Sequence, residues 1–214
     1  MLLCVKLFQN GSYYIAAVAI LLLAMMPFFV FFENRKIKTG EIVTVAGMIA
    51  LCVASRAAFA FAPQVKPVCA LVIVTAIAFG PNVGFFVGSM SMFLSDFLFG
   101  QGMFTPFQML GMGLVGFVCG LIFYQKPYGN RKLLVAVMGG IACFLIYGFV
   151  VDSCSVLMMS SELSLQSAAK IYVTGLPFNL IHAGTTALLL YFINKPMTDK
   201  FNRLRIKYGI FSME

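Results

Sequence analysis

Seven apolar runs dominate the chain, at residues 13–32, 41–61, 67–79, 82–99, 105–124, 132–151 and 171–193. A helix rises about 1.5 Å per residue, so roughly 20 apolar residues cross ~30 Å of hydrocarbon. Six of the runs meet or approach that length. The third, 67–79, does not, and is expected to sit tilted inside a bundle or to cross incompletely. In lipid every backbone N–H and C=O must be paired, which leaves helices or closed barrels. The runs are continuous and lack strict alternation, so they predict helices. Composition agrees: 61% of the 214 residues are hydrophobic and 10% are charged, against about 25% charged in soluble domains. The mean hydropathy is +0.97. The fold class is therefore an all-α membrane protein, a polytopic helical bundle.

A net charge of +8 does not point to nucleic acid here, because the basic residues cluster beside apolar runs. One set of alternate loops holds Arg35, Lys36, Lys38, Lys126, Arg131, Lys132, Lys195, Lys200, Arg203, Arg205 and Lys207. The other set holds only Lys6, Lys66 and Lys170. The positive-inside rule places the richer set in the cytoplasm, with the N-terminus outside and the C-terminus inside. Run 13–32 is too long for a signal peptide and ends at Glu33-Asn34-Arg35-Lys36 without a small-residue cleavage site, so it is expected to be a retained span. The six cysteines are scattered with no CxxC spacing and read as small apolar packing residues.

This orientation turns three segments outward: 62–66, 100–104 and 152–170. The second half of the last is expected to form a short interfacial helix, capped by Ser160 or Ser161 with Glu162 in its first turn. The basic segment 197–214 is expected to lie as a cytoplasmic amphipathic tail on the inner leaflet. Residues 96–108, DFLFGQGMFTPFQ, stand out. They place an acid, two glycines, a proline, a threonine and two glutamines among four phenylalanines, between two apolar runs. A polar hinge with aromatic walls has the character of a binding-site mouth.

Catalytic signatures are absent: there is no HExxH, GxSxG or P-loop spacing, and one histidine, His182. An enzyme is not expected, nor an intrinsic cofactor or metal. Ionisable groups inside spans are costly and mark function or pairing. They are Arg56, Asp96 and His182, with Asp152 at a span end. Arg56 and Asp96 share the outer thirds of two spans, so an ion pair facing the bundle interior would relieve both; the same residues could instead meet a polar ligand. Pro177 is expected to loosen the helix around Asn179 and His182. A lipid-modifying enzyme would need Asp96 and His182 in one cavity within hydrogen-bond reach. A ligand-free structural subunit would have no cavity behind Phe104. Glycine pairs Gly84/Gly88 and Gly116/Gly120 are small-xxx-small helix contacts. Ala46, Ala50 and Ala54 form a smooth stripe at four-residue spacing, suited either to packing within the bundle or to docking a partner in the membrane.

The stripe, the run RAAFAFAPQVKPVCALVIVTAIAFGPNVGFFVGSMSMF and the run FGQGMFTPFQMLGMGLVGFVCGLIF together resemble the substrate-binding S component of energy-coupling factor (ECF) vitamin transporters. The resemblance covers roughly residues 34–193. It implies a six-helix substrate-binding domain, 34–196, preceded by an additional transmembrane helix, 1–33, and followed by the tail 197–214. It implies a vitamin captured from outside, no intrinsic ATPase, and as partners a transmembrane coupling subunit and two cytoplasmic ATPases. Ala46, Ala50 and Ala54 would then be the docking face. The chain is most similar to cobalamin-type S components, which points to cobalamin or a related corrinoid, with riboflavin, folate, biotin and pantothenate as alternatives. It departs from that type in Asp96, where the pattern has Asn, and in Phe104 and Phe107, where the pattern has Trp. An amide-edged macrocycle needs aromatic walls and uncharged donors and acceptors. The substrate-binding residues expected are Gln64, Gln101, Phe104, Thr105, Phe107, Gln108 and Asn179, with Arg56, Asp96, Tyr172 and His182 behind them.

Overall fold

The computed structural model describes residues 38–62, 65–159 and 164–211, with scattered positions between residues 18 and 30. Among the described residues there is no strand. The helices are α1 Thr39–Ala58, α2 Val68–Phe79, α3 Pro81–Phe99, α4 Thr105–Phe123, α5 Lys132–Ala142, α6 Phe149–Met159 and α7 Leu165–Tyr208. A 3-10 turn, Pro127–Asn130, precedes α5, and a π-helical stretch, Cys143–Gly148, fuses α5 and α6 into one span, Lys132–Met159. Five of these helical units among the described residues are long and apolar enough to cross a membrane. Within the first expected span, 13–32, the described positions are helical, Met25 is buried and the Phe29 ring meets Phe86 edge-on at 5.8 Å. The rest of that span lies outside the described residues.

The short third run becomes the centre of the bundle. All twelve residues of α2 are buried. At about 18 Å it is too short to span a bilayer, but it is wrapped by protein and its ends need not meet lipid. Its connection to α3 is Gly80 alone, whose φ of 104° is open to glycine at no steric cost, followed by Pro81 in the first turn of α3.

Helices α3 and α4 pack at backbone distance, and the glycine pairs explain why. A Cβ on Gly88 would stand 2.6 Å from the Met112 carbonyl oxygen, and one on Gly84 would stand 2.9 Å from that of Gly116. A Cβ on Gly120 would stand 2.5 Å from Pro81 Cα. Ser89 Oγ adds an interhelical hydrogen bond to the Met109 carbonyl at 3.0 Å. Helix α1 is two-faced: Val45, Met48, Ile49, Cys52 and Arg56 point into the core, while Ala46, Ala50 and Ala54 are exposed. The five described cysteines are buried and unpaired.

The C-terminal half differs from the sequence expectation. Residues 152–170 are not one long loop: α6 continues to Met159 and α7 begins at Leu165. The polar residues that suggested a loop are absorbed by the helix, since Ser153 and Ser155 donate back to the Phe149 and Val151 carbonyls at 2.7 and 3.1 Å. Ser164 caps α7, its Oγ accepting the Ser167 N–H at 3.1 Å in a capping box. The expected cap at Ser160 or Ser161, with Glu162, lies outside the described residues. Helix α7 then runs for 44 residues, through Pro177 and Pro196 without a break.

Segment 197–211 is the last part of α7 and a short return, packed on protein. Phe201 and Phe211 stand 5.1 and 4.6 Å from the Phe79 ring. Lys38 Nζ donates to the Gly209 carbonyl at 2.8 Å, and the Phe211 N–H donates to Glu41 Oε1 at 2.5 Å. An amphipathic stripe fits a bilayer surface or a bundle equally well; here Phe79 at the end of α2 supplies the apolar partner.

Candidate functional site

The hinge 96–108 is folded around Arg56. Met92, Ser95, Asp96 and Phe99 recur at helical spacing and put one face of α3 against the end of α1. Arg56 Nη1 donates to Asp96 Oδ1 at 2.7 Å, to Ser95 Oγ, and to Met92 Sδ at 3.7 Å. Its Nη2 donates to Gln108 Oε1 at 3.2 Å, and the guanidinium lies 5.0 Å from the Phe99 ring centroid. Thr105, in the first turn of α4, donates from Oγ1 to Asp96 Oδ2 at 2.8 Å and accepts the Gly102 N–H at 3.2 Å. Both carboxylate oxygens of Asp96 are thus occupied, and Asp96 is fully buried. Isolated, either charge would cost several kcal/mol in this setting. Paired, they lock three helix ends into one fixed, polar platform. Lys66 lies half-buried in the connection before α2. Burial, then the nearby Arg56 charge, pull its pKa below the usual 10.5, and Asp96 offsets part of that shift.

Above the platform is a cavity of about 270 Å³ between the start of α4 and one face of α6. Phe104, Phe107 and Gln108 form one wall; Cys154, Ser155 and Met158 form the other. Gln108 joins cavity and platform, since the same side chain accepts from Arg56. A second cavity, about 260 Å³, lies on the opposite face of α6 and is bounded by Phe149, Asp152, Tyr172, Leu176 and Asn179. Here Asn179 Nδ2 donates to Asp152 Oδ2 at 2.7 Å. Gly175 makes room for that carboxylate: a Cβ there would stand 2.7 Å from Asp152 Oδ1. Tyr172 hydrogen-bonds Ser153 through the two hydroxyls at 2.7 Å and stacks on Phe149.

The eleven expected binding residues therefore separate. Arg56, Asp96, Phe104, Thr105, Phe107 and Gln108 come together. Gln101 is exposed nearby and donates to the Phe93 carbonyl at 2.9 Å. Tyr172 and Asn179 line the second cavity. His182 lies deeper, its ring edge-on to Tyr147 at 5.2 Å and beside Cys143, with Nε2 buried and without a hydrogen-bond partner. Gln64 lies outside the described residues. Among the described residues Asp96 and His182 make no hydrogen bond to each other, and neither lines the two cavities beside α6. Sequence reasoning missed the α6 wall, Cys154, Ser155 and Met158. Their i, i+1, i+4 spacing is a helical stripe, hidden once Asp152 was taken to end the span.

The fold is that of an all-α polytopic membrane protein, with a cavity of aromatic and amide walls over a buried ion pair at one end of the bundle. The family model for the ECF-type riboflavin transporter S component matches residues 36–199. The chain belongs to the S components of ECF transporters, multi-pass membrane subunits that bind a transport substrate and are not enzymes. No curated protein and no solved structure matches the chain.

Proposed function

We propose that this S component captures riboflavin, or a closely related flavin, at the outer face of a prokaryotic plasma membrane and delivers it inward. The observation that carries the reading is the Phe104/Phe107/Gln108 cavity resting on the Arg56 platform. A flat tricyclic ring with one apolar and one imide edge suits a cavity with phenylalanine walls and the Gln108 amide, itself held by Arg56. The riboflavin description of the matched family supports the same substrate. Cobalamin, the substrate suggested by the sequence resemblance, is less well supported: a corrinoid wants a wider opening than about 270 Å³, and this chain lacks tryptophan. Within the site, Phe104, Phe107 and Gln108 face the ligand, Arg56 orients the Gln108 amide from below, and Asp96, itself held by Thr105, keeps Arg56 in place. Gln64, Gln101, Tyr172, Asn179 and His182 are kept as further candidates for substrate contact.

Delivery requires partners: a transmembrane coupling subunit and two cytoplasmic ATPases, as the family implies. The exposure of Ala46, Ala50 and Ala54 supports their use as the docking stripe, since small side chains permit close helix approach. The charge asymmetry of the loops supports an outward site and a cytoplasmic C-terminus. The test is flavin fluorescence on purified protein. Riboflavin emission should be quenched saturably at one ligand per chain, and a hundredfold excess over Kd should stabilise the fold by about 2.7 kcal/mol. Binding of cobalamin in place of riboflavin would transfer the site to the corrinoid reading; binding of neither would overturn the site.

A further inference from the structure

At the opposite end of the bundle from Arg56 is a larger cavity, about 530 Å³, between the 3-10 turn Pro127–Asn130 and the last turns of α7. We propose that it binds a phosphate group, carried either by an anionic lipid of the inner leaflet or by a soluble phosphate species. Its lining includes Lys126 and Arg205, together with the amides of Gln125, Asn130 and Asn202, and no carboxylate. Among the described residues neither the Lys126 nor the Arg205 side chain makes a hydrogen bond or an ion pair. Two cations and three amides line one cavity with no carboxylate among them, a donor-rich set with uncompensated positive charge. Phosphate oxygens supply what is missing, and charge-assisted hydrogen bonds to them are the stronger kind.

The frame of the cavity is fixed independently of any ligand. Asn194, fully buried in α7, donates from Nδ2 to the Gly129 carbonyl at 3.0 Å, and its Oδ1 accepts from Thr198 Oγ1 at 3.2 Å. Gly129 lies close under α4, where a Cβ would stand 2.8 Å from the Phe123 carbonyl oxygen. Tyr128 meets the Phe123 ring edge-on at 6.2 Å. The turn that presents Lys126 and Asn130 is therefore pinned to both α4 and α7. Ile206 forms part of the lining and is 82% exposed, giving an apolar rim beside a polar floor. That pairing suits the junction of a headgroup and its acyl chains. The loop charges assign this end to the cytoplasmic leaflet, where anionic lipids lie.

The experiment uses the full-length protein in nanodiscs of phosphatidylcholine with or without phosphatidylglycerol, and inorganic phosphate titrated in neutral detergent. Native mass spectrometry and thermal melting read both arms, for the wild type and for Lys126→Gln/Arg205→Gln. Retention of phosphatidylglycerol over phosphatidylcholine, weakened tenfold or more in the double variant, supports the proposal with lipid as the source. Stabilisation by inorganic phosphate without lipid preference, lost in the same variant, supports it with a soluble source. If the double variant folds poorly, Lys126→Gln alone, at an exposed position, gives the same comparison. Equal lipid retention and equal phosphate response in wild type and variant overturn it.

Discussion

Gly84 and Gly88 in α3 and Ala46, Ala50 and Ala54 in α1 obey the same four-residue spacing, yet they end in opposite environments. The glycine face is closed against α4, so tightly that a single added methyl group would meet backbone atoms at 2.6–2.9 Å. The alanine face is open, and Gly47 beside it has nothing within 4 Å of where a Cβ would sit. Small residues let two helices approach closely; whether the second helix belongs to the same chain is not encoded in the spacing. In α3 the partner is supplied by the next element in sequence, joined through a short hinge. In α1 the inner face already holds the core contacts and Arg56, and the outer face is left without a partner among the described residues.

The sharpest way to break this comparison is Ala50→Trp. On an open docking face it should abolish vitamin uptake by the assembled transporter while leaving substrate binding and melting temperature unchanged, measured on cells and on purified protein. Loss of binding would return the stripe to internal packing. Next in size is Arg56→Met, on the inner face of the same helix. It strands a buried Asp96, and removing one partner of a buried pair costs about 3–5 kcal/mol; denaturant unfolding should show that loss, and riboflavin quenching should weaken with it. Gly88→Val should cost about 1–3 kcal/mol or more by overpacking α3 against α4, whereas Gly47→Val on the open face should cost far less. The smallest effect belongs to Lys66. Its pKa lies below 10.5 in the folded chain, so between that lowered value and 10.5 the unfolded chain binds the extra proton and stability rises with pH. Below the lowered value both states are protonated and the contribution is constant. Lys66→Met should flatten the alkaline rise in a melting-temperature profile.

Much of the site was legible before any coordinates. Residues 96–108 announced themselves because acids, amides and glycines have no reason to interrupt an apolar chain except pairing or binding. Arg56 and Asp96 had to find each other, since neither is tolerated alone in hydrocarbon. The separation of Tyr172, Asn179 and His182 from that mouth was not legible. All three lie on α7, but α6 stands between Asn179 and Phe104. A wall of that kind exists only once α6 is known to continue through Asp152.

The sequence by itself determined that this is a helical membrane bundle, where most spans begin, and which buried charges must pair. These follow from the cost of unpaired backbone and isolated charge in lipid, which acts residue by residue. Only the tertiary structure decided which small-residue face closes and which stays open. It also decided that α2 is a buried core rod and that the C-terminal basic stretch packs on Phe79. Those outcomes depend on which apolar surface a distant segment brings alongside, and spacing along one helix carries no record of its neighbour.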